Sequence, residues 1–391
     1  MTETAVVRPA SLASWSAPVA GGRLEFGRGC LTRVGEAARE LSCSRALIIT
    51  DAGVRAAGHP ARAAESLIRA GLEVEIFDRV TENPTTTVVA DGAEAAREMG
   101  ADVVIAVGGG SALDVTKGVN FLVTNGGRME DYWGFGRARE PMLPSIALPT
   151  TAGTGSDAQS YALITQAEPA PRMRHGRKMA CGDAKARFAL VLLDPELLAT
   201  APQVVMATAG IDAASHVVES WVTTRRSPVS ALWAKAAWER IDRCLTRALA
   251  EPADLDARGE MLLAAYFAGG AIEASMLGAA HAAANPLTAA YGTVHGVAVG
   301  LMLPQVVRWN ARDAEIDALY AELRPGGGEA LAARLEELRR EAGLPARLEQ
   351  VGVERLRLEE LAELAMNEWT GTFNPRPMTK ADFLRIYEAA Y

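Results

Sequence analysis

Four side chains in the second half of this sequence have the types and spacing of a metal-binding site. Asp212 and His216 lie four residues apart in the helix-forming segment GIDAASHVVES, so both side chains would lie on one face of a helix. His281 and His295 follow fourteen residues apart, and Pro286 between them is expected to interrupt a helix and let the chain return. One carboxylate and three imidazoles suit Fe²⁺ or Zn²⁺. These residues therefore predict one divalent metal site.

The placement of the histidines supports this prediction. The chain has five histidines, and three of them lie in these Ala-rich and Gly-rich segments, whereas His59 and His175 lie in polar, turn-like stretches. Any one of the three, taken alone, would more often be a hydrogen-bonded core residue. The four candidate ligands together favour the metal site.

Three consecutive glycines could bind a diphosphate. Gly108, Gly109 and Gly110 follow the apolar run ADVVIAV directly and begin a helical segment that Ser111 is expected to cap. The unpaired N–H groups at a helix N-terminus attract phosphate, and glycine lets the phosphate approach the main chain. A tight turn without a ligand has the same composition, so this motif alone leaves both interpretations open.

A second loop, LPTTAGTGSD at residues 148–157, also leaves a predicted strand and is rich in hydroxyl side chains. Thr150, Thr151, Thr154 and Ser156 could bind phosphate or ribose oxygens. A polar surface turn shares this composition. Two such loops at the ends of successive strands nevertheless favour a ligand that crosses the C-terminal edge of one sheet.

Asp51 follows the first predicted strand directly. A carboxylate at such a position can accept hydrogen bonds from both hydroxyls of an adenosine ribose and repels a 2′-phosphate, which predicts NAD rather than NADP. In the usual Rossmann fingerprint, however, the acidic residue follows the glycines by about 20 residues. Here it precedes them, so a dinucleotide would be bound by these features in another order.

The elements that must position these residues can be read from the hydrophobic pattern. Short apolar runs predict buried strands at 45–50, 74–78, 101–107, 145–150 and 188–194, and helical spacing predicts helices at 61–71 and 88–100. Strands that alternate with helices pair in parallel, which predicts an α/β region with a parallel sheet.

Beyond residue 196 strand-like alternation disappears, and long segments rich in Ala, Leu and Glu predict helices only. A chain of 391 residues is also long for one core and suits two domains. We therefore expect an α/β dinucleotide-binding domain at 1–196, with an N-terminal extension at 1–22, and an all-α metal-binding and substrate domain at 197–391.

Composition excludes several classes of function. A net charge of −8 argues against nucleic acid as a partner, because binding to phosphate backbones depends on Lys and Arg. No apolar stretch approaches the roughly 18 residues of a membrane span, and the first residues lack the pattern of a signal peptide, so we expect a cytoplasmic protein without a membrane contact. The four cysteines show no CxxC spacing, which indicates neither a disulfide framework nor a thiolate zinc site.

The motifs taken together resemble the iron-containing (group III) metal-dependent alcohol dehydrogenases, in the region of the family near lactaldehyde reductase. The resemblance begins at about residue 23 and runs through LEFGRG, LIITDAG, NPTTTVV, GGGSALDVTK, LPTTAGTGSD, GIDAASHVVE, HAAANPLTAAYGTVHG and LPQVVRWN. It implies a Rossmann-like, dehydroquinate synthase-like α/β domain, an all-α C-terminal domain and an active site in the cleft between them. It also implies a homodimer.

The resemblance assigns roles to further residues. It implies the metal ligands already named, and cofactor contacts from Asp51, Asn83, Gly108, Gly109, Gly110, Ser111, Thr150, Thr151, Thr154 and Lys178. By approximate correspondence it places Ile272, Trp369 and Phe373 in the substrate pocket, although all three could equally pack the helical core. An apolar wall there would favour small or medium alcohols and aldehydes over sugar phosphates.

Some positions depart from the family pattern. Asn285 stands where relatives commonly have a second histidine, which is a candidate for proton transfer rather than a ligand, and Thr288 stands where they have glycine. Asp157 replaces a usual glutamate, and Ser160 stands where a relative carries asparagine. Because asparagine cannot titrate near neutral pH, a proton path here would need water or cofactor hydroxyls.

We therefore predict an NAD(P)-linked alcohol dehydrogenase or carbonyl reductase in which the metal acts as a Lewis acid and a hydride passes to or from nicotinamide. A maleylacetate reductase or a dehydroquinate synthase-type lyase on the same fold is the nearest alternative. A catalytically silent protein that binds metal or nucleotide is a third.

Overall fold

The computed structural model describes residues 14–19, 22–168 and 176–391. His175 and residues 1–13 of the predicted extension lie outside the described residues. Within them the strands are β1 (Trp15–Val19), β2 (Gly22–Phe26), β3 (Arg45–Asp51), β4 (Glu73–Val80), β5 (Val103–Gly108), β6 (Gly134–Phe135), β7 (Ser145–Pro149), β8 (Tyr161–Thr165), β9 (Lys178–Gly182) and β10 (Leu190–Leu193).

The main sheet has the strand order β1-β2-β10-β7-β5-β3-β4. All neighbours pair in parallel except β1, which pairs antiparallel with β2 at one edge. The carboxyl ends of β3, β5 and β7, which are neighbours in this order, therefore meet at one edge of the sheet. A smaller sheet has the order β6-β9-β8.

The helices of the described residues are α1 (Val34–Glu40), α2 (Ala52–Ala56), α3 (His59–Arg69), α4 (Thr86–Glu98), α5 (Gly110–Asn125), α6 (Gln203–Val222), α7 (Pro228–Ala250), α8 (Leu255–Glu273), α9 (Ala279–Tyr291), α10 (His295–Asn310), α11 (Ala314–Leu323), α12 (Gly327–Glu341), α13 (Leu358–Met366) and α14 (Lys380–Ala390). Short 3-10 helices join several of them, including Pro195–Leu198 and Trp369–Phe373.

The predicted fold class is confirmed. All five predicted strands form, because runs such as 103–108 are buried at every position, as expected for parallel strands covered by helices on both faces. The predicted helices at 61–71 and 88–100 correspond to α3 and α4. After β10 the described residues contain helices and no strands. The domain boundary after residue 196 falls within the 3-10 helix Pro195–Leu198 and stays a prediction.

The helical region is built around α6, whose residues from Met206 to Val222 are all buried. A helix that is buried on every side lies in the interior of a protein, and here α7, α8, α9 and α10 contact it. Alanine dominates α9, and such small side chains let neighbouring helices approach closely. The packing also buries polar residues of α6, among them Asp212, His216 and Glu219.

Two local predictions were wrong. Pro286 does not end its helix but lies inside α9, and the chain returns at Gly292, which has the left-handed φ of 69° that suits glycine after a helix. Ser111 does not cap α5, because the helix already begins at Gly110 and its N-cap residue, Gly109, has no side chain. The backbone of Ser111 lies in the first helical turn, where its N–H remains available to a ligand.

None of the helices in the described part of the chain is long and apolar enough to cross a bilayer. The four cysteines are free thiols, and three of them are buried.

Candidate metal and cofactor site

The four predicted metal ligands come from three helices and converge on one point. Asp212 and His216 lie one turn apart on α6, His281 lies on α9, and His295 is the first residue of α10. Oδ1 of Asp212 lies 3.4 Å from Nε2 of His216 and 3.7 Å from Nε2 of both His281 and His295. The ring centroids of His281 are 5.2 Å from those of His216 and of His295.

Two atoms at the centre of this cluster have no hydrogen-bond partner among the described residues. They are Oδ1 of Asp212 and Nε2 of His281, and both are buried. An unpaired buried polar atom costs about 1–3 kcal/mol, so such atoms are rare unless something else satisfies them. A divalent cation would satisfy a carboxylate oxygen and imidazole nitrogens at the same point. The donor set therefore fits Fe²⁺ or Zn²⁺.

The protonation of the cluster follows from burial and from its carboxylates. Burial lowers the pKa of His216, and it lowers the pKa of His295 to about 3, so both rings are neutral near pH 7. Burial opposes the charge of Asp212 as well, but the three imidazoles outweigh it and hold the pKa of Asp212 well below its usual range. For His281, Glu219 and Asp212 outweigh burial and raise the pKa to about 9.

Glu219 is a residue of this cluster that the sequence analysis missed. Its Oε2 lies 2.5 Å from Nδ1 of His281, while its Oε1 accepts the backbone N–H of Ala280 at 2.6 Å. A carboxylate on the far nitrogen of a ligand histidine orients the ring and increases its basicity. The signal was present in the sequence, because Glu219 lies seven residues after Asp212 and therefore two turns along the same face of α6.

The predicted cofactor residues gather at the carboxyl ends of β3, β5 and β7. Asp51, Gly108 and Thr150 lie at or next to these ends, and the N–H of Thr150 donates to the carbonyl of Gly108 at 2.9 Å. A Cβ on Gly110 would lie 2.8 Å from the side chain of Thr154, and one on Gly109 would lie 3.2 Å from Thr151. The two predicted loops thus face each other closely, as an edge that binds a dinucleotide requires.

Asp51 has one oxygen engaged and one directed to this edge. Its Oδ1 accepts the N–H of Val54 at 2.9 Å and caps α2. Its Oδ2 lies 3.6 Å from the position of a Cβ on Gly108. Capping alone would account for an aspartate at this position, without any bound ligand. It uses only Oδ1, however, and leaves Oδ2 beside the glycine turn.

The remaining predicted cofactor contacts, Asn83 and Lys178, lie outside these two loops. Asn83 follows β4 in a left-handed conformation, with φ of 50°, and is half-buried. Lys178 is the exposed first residue of β9. Burial is the largest cause that lowers the pKa of His295, and the charge of Lys178 lowers it further. The ammonium group of Lys178 therefore acts on one of the candidate metal ligands.

A buried polar network supports the second loop and was not predicted. Lys117 on α5 is 1% exposed, and its Nζ donates to the carbonyls of Ser156 and Tyr161 at 2.6 and 2.7 Å. The hydroxyl of Ser156 donates to Asp114 at 2.5 Å. This network fixes the loop 148–157 to the helix that follows the glycines. In the sequence, Asp114 and Lys117 resemble any polar pair on one helix face.

The three predicted pocket residues differ in exposure. Ile272 is buried on α8, whereas Trp369 is 43% exposed and Phe373 is half-buried. The ring centroids of Trp369 and Phe373 are 5.8 Å apart, and Trp369 also lies 6.5 Å from Tyr161, which is 5.5 Å from Phe135. We call these four residues the aromatic row. It joins the smaller sheet to the 3-10 helix Trp369–Phe373.

The positions that depart from the family pattern have distinct environments. Nδ2 of Asn285 donates to Oε2 of Glu368 at 2.8 Å. Ser160 binds the carboxylate of Glu273 through both its N–H and its hydroxyl. Asp157 is buried, and burial raises its pKa to about 6. Thr288 is buried as well, and no hydrogen-bond partner of its hydroxyl is found among the described residues.

Comparison with known proteins adds independent information. Two family models match, iron-containing alcohol dehydrogenase over residues 21–195 and the C-terminal part of the same family over residues 206–391. The NAD-dependent methanol dehydrogenase of Bacillus methanolicus is 32% identical, over 93% of this chain and 97% of its own. The lactaldehyde reductase of Escherichia coli (strain K12) is 31% identical, over 94% of this chain and 97% of its own.

A crystal structure of 1,3-propanediol oxidoreductase superimposes with a TM-score of 0.89, at 32% identity over 94% of this chain and 97% of that one. These relatives are dehydrogenases and a reductase of small alcohols and aldehydes, which agrees with the main prediction rather than with a maleylacetate reductase or a lyase. Both halves of the chain match, so this protein belongs to the iron-containing alcohol dehydrogenase family.

Proposed function

We propose that this protein is an Fe²⁺-dependent, NAD-linked dehydrogenase that interconverts small or medium apolar alcohols with their aldehydes or ketones. The observation that carries the proposal is the convergence of three imidazoles on Oδ1 of Asp212, where buried donor atoms lack partners. The family supports an oxidoreductase that acts on CH–OH groups, and the donor set supports the metal.

In this proposal the chain's own residues bind and orient the reactants. Asp212, His216, His281 and His295 hold the cation, and Glu219 orients His281. Gly108, Gly109, Gly110 and Ser111 present backbone N–H groups to the diphosphate, Thr150, Thr151 and Thr154 bind phosphate or ribose oxygens, and Asn83 and Lys178 complete the contacts. When bound, the metal would supply Lewis acidity toward the substrate oxygen, and NAD would supply or accept the hydride.

Asp51 favours NAD over NADP in this proposal. Its Oδ2 remains directed toward the glycine turn, where it can accept ribose hydroxyls and would repel a 2′-phosphate. The relative from Bacillus methanolicus is itself named as NAD-dependent.

The aromatic row supports the substrate class. Trp369 directly follows Glu368, which accepts a hydrogen bond from Asn285 one helical turn after His281, and this link is the reason to assign the indole to the substrate pocket. Exposed rings of this kind bind apolar chains and offer few partners to a sugar phosphate. Ile272 would contribute from α8.

The native metal, the oligomeric state and the location of the protein are part of the same proposal. Zn²⁺ would fit the same donors as Fe²⁺. We expect a homodimer because the resemblance implies one, and we place the protein in the cytoplasm. Light scattering coupled to size-exclusion chromatography measures the oligomer directly, and metal analysis of protein purified without oxygen measures the native ion.

The experiment that tests the proposal is net turnover of NADH with aldehydes and of NAD⁺ with alcohols, using protein loaded with Fe²⁺ under anaerobic conditions. Steady net oxidation of NADH is expected. A protein that binds metal and cofactor but turns over neither would contradict the proposal.

A further inference from the structure

Asn285 lies four residues after the candidate metal ligand His281. Residues four apart on a helix are neighbours, so Asn285 lies on α9 one turn beyond His281, beside the metal cluster. Its amide is not free, because Nδ2 donates to Oε2 of Glu368 at 2.8 Å. Asn285 therefore links the helix that carries His281 directly to a carboxyl group.

Glu368 has the surroundings of a group that can exchange a proton. It precedes the 3-10 helix Trp369–Phe373 and is half-buried, so the carboxyl is neither fully solvated nor sealed from solvent. Burial raises its pKa, and the hydrogen bond from Asn285 and the charges of Arg177 and Lys178 act in the opposite direction. Within the described residues it forms no ion pair. No fixed counter-ion among the described residues therefore holds this carboxyl group in its ionised form.

The groups that face this carboxyl come from three directions. Asn285 approaches from α9, Arg177 and Lys178 from the start of β9, and Tyr387 from α14. Tyr387 stays protonated, because burial raises its pKa well above its usual value, and its hydroxyl donates to the carbonyl of Ala283. The charge of Lys178 lowers the pKa of Glu368 and, separately, the pKa of His295, so one ammonium group acts on both side chains.

Oxidation of an alcohol needs a side chain that can accept a proton. Oxidation of an alcohol transfers a hydride, with the electron pair of the C–H bond, to NAD⁺, and the hydroxyl proton must leave separately. The amide of Asn285 cannot accept it. Positioned carboxyl groups with raised pKa values do accept and return protons near neutral pH.

We propose that Glu368 takes up the hydroxyl proton during alcohol oxidation and returns it during carbonyl reduction, while Asn285 positions the carboxylate. This inference rests on the proposed function. The alcohol and NAD⁺ yield the carbonyl product and NADH, the carboxylate of Glu368 becomes a carboxyl group, and that group releases its proton to water.

Glu368→Gln tests the proposal, because glutamine keeps the size of the side chain and an oxygen that can accept from Asn285. In the Fe²⁺-loaded enzyme we expect kcat for alcohol oxidation to fall about 100-fold at pH 7, as loss of a general base typically costs. In the unaltered enzyme kcat should fall at low pH as Glu368 becomes protonated, and this fall should disappear in the variant. The iron content and the Kd for NADH should stay unchanged. Glu363→Gln, an exposed carboxylate on α13, is the matched control and should behave as the unaltered enzyme.

Two further variants sharpen the test. Glu368→Asp should retain the titration with a shifted midpoint and recover part of kcat. Asn285→His in the Glu368→Gln background should recover at least tenfold, because it supplies a titratable group at the adjoining position. If Glu368→Gln does not fold, Glu368→Asp alone must shift the pH profile.

Failure of this inference is distinguishable from failure of the proposed function. An unaltered enzyme that turns over NADH, together with a Glu368→Gln variant of equal kcat and equal pH profile, overturns the role of Glu368 only. An unaltered, iron-loaded enzyme without NAD(H) turnover overturns both.

Discussion

The Oε2 atom of Glu219 lies 2.5 Å from Nδ1 of His281, and this contact links two helices across the metal cluster. With Nδ1 occupied, Nε2 of His281 is the nitrogen directed to Asp212, at 3.7 Å. Glu219 therefore selects which nitrogen of His281 is available to a cation. It also accepts backbone N–H groups at the start of α9, so that the ring and its helix are held by one carboxylate.

Glu219→Gln should weaken metal binding without removing a ligand. Glutamine keeps the shape of the side chain but loses the charge that raises the basicity of His281, and such changes typically cost 10- to 100-fold in metal affinity. The measurement is the Kd for Fe²⁺ or Zn²⁺ by competition with a chelator. Glu388→Gln, an exposed carboxylate on α14, is the control. Equal affinity in both variants would contradict the positioning role.

Asp51→Asn should change the preference between cofactors. Asparagine caps a helix as well as aspartate does, so α2 keeps its N-cap while the negative charge disappears. We expect kcat/KM with NADPH to rise at least tenfold relative to NADH. A ratio that does not change would mean that Asp51 acts only as a cap.

Asp157→Asn should stabilise the protein at high pH. Burial raises the pKa of Asp157 to about 6, so the folded state binds this proton more tightly than the unfolded state does. The penalty for ionising the buried carboxyl therefore grows as pH rises from about 4 to 6 and is complete above that window. Since one pKa unit corresponds to about 1.4 kcal/mol, the variant should be roughly 1–3 kcal/mol more stable at pH 8. Tm values at pH 4 and pH 8 measure this, and a gain at pH 4 alone would refute it.

Trp369→Ala should lower kcat/KM selectively for substrates with longer apolar chains. An indole in contact with the substrate contributes roughly 1–3 kcal/mol, which corresponds to about 5- to 150-fold in kcat/KM for a substrate that reaches it. A panel from methanol to hexanol separates this effect from a general loss, and KM for NAD⁺ should not change. Leu356→Ala, an exposed residue outside the aromatic row, is the control. A uniform loss over the panel would assign Trp369 to packing.

The parallel strands and the candidate metal ligands could be predicted because both leave a local pattern in the sequence. Fully buried strands are continuous apolar runs, and ligands such as Asp212 and His216 share a helix at a diagnostic spacing. Short strands with mixed composition, such as β2 and the strands of the smaller sheet, lack such a pattern and were not predicted.

Partners that are distant in the chain could not be predicted. The pairing of Asn285 with Glu368 spans 83 residues, and that of Glu219 with His281 spans 62. Both depend on how helices pack, which no local spacing encodes. The prediction at Pro286 was wrong because a proline usually ends a helix, whereas the buried, Ala-rich helix α9 continues on both sides of it.

The measurement that tests the central claim most directly is NADH oxidation with a short aldehyde before and after the metal is removed. We predict that the Fe²⁺-loaded enzyme turns over, that chelation abolishes turnover, that added Fe²⁺ restores it, and that His281→Gln and Asp212→Asn neither retain iron nor turn over. Full activity in protein verified to be free of metal would contradict the account.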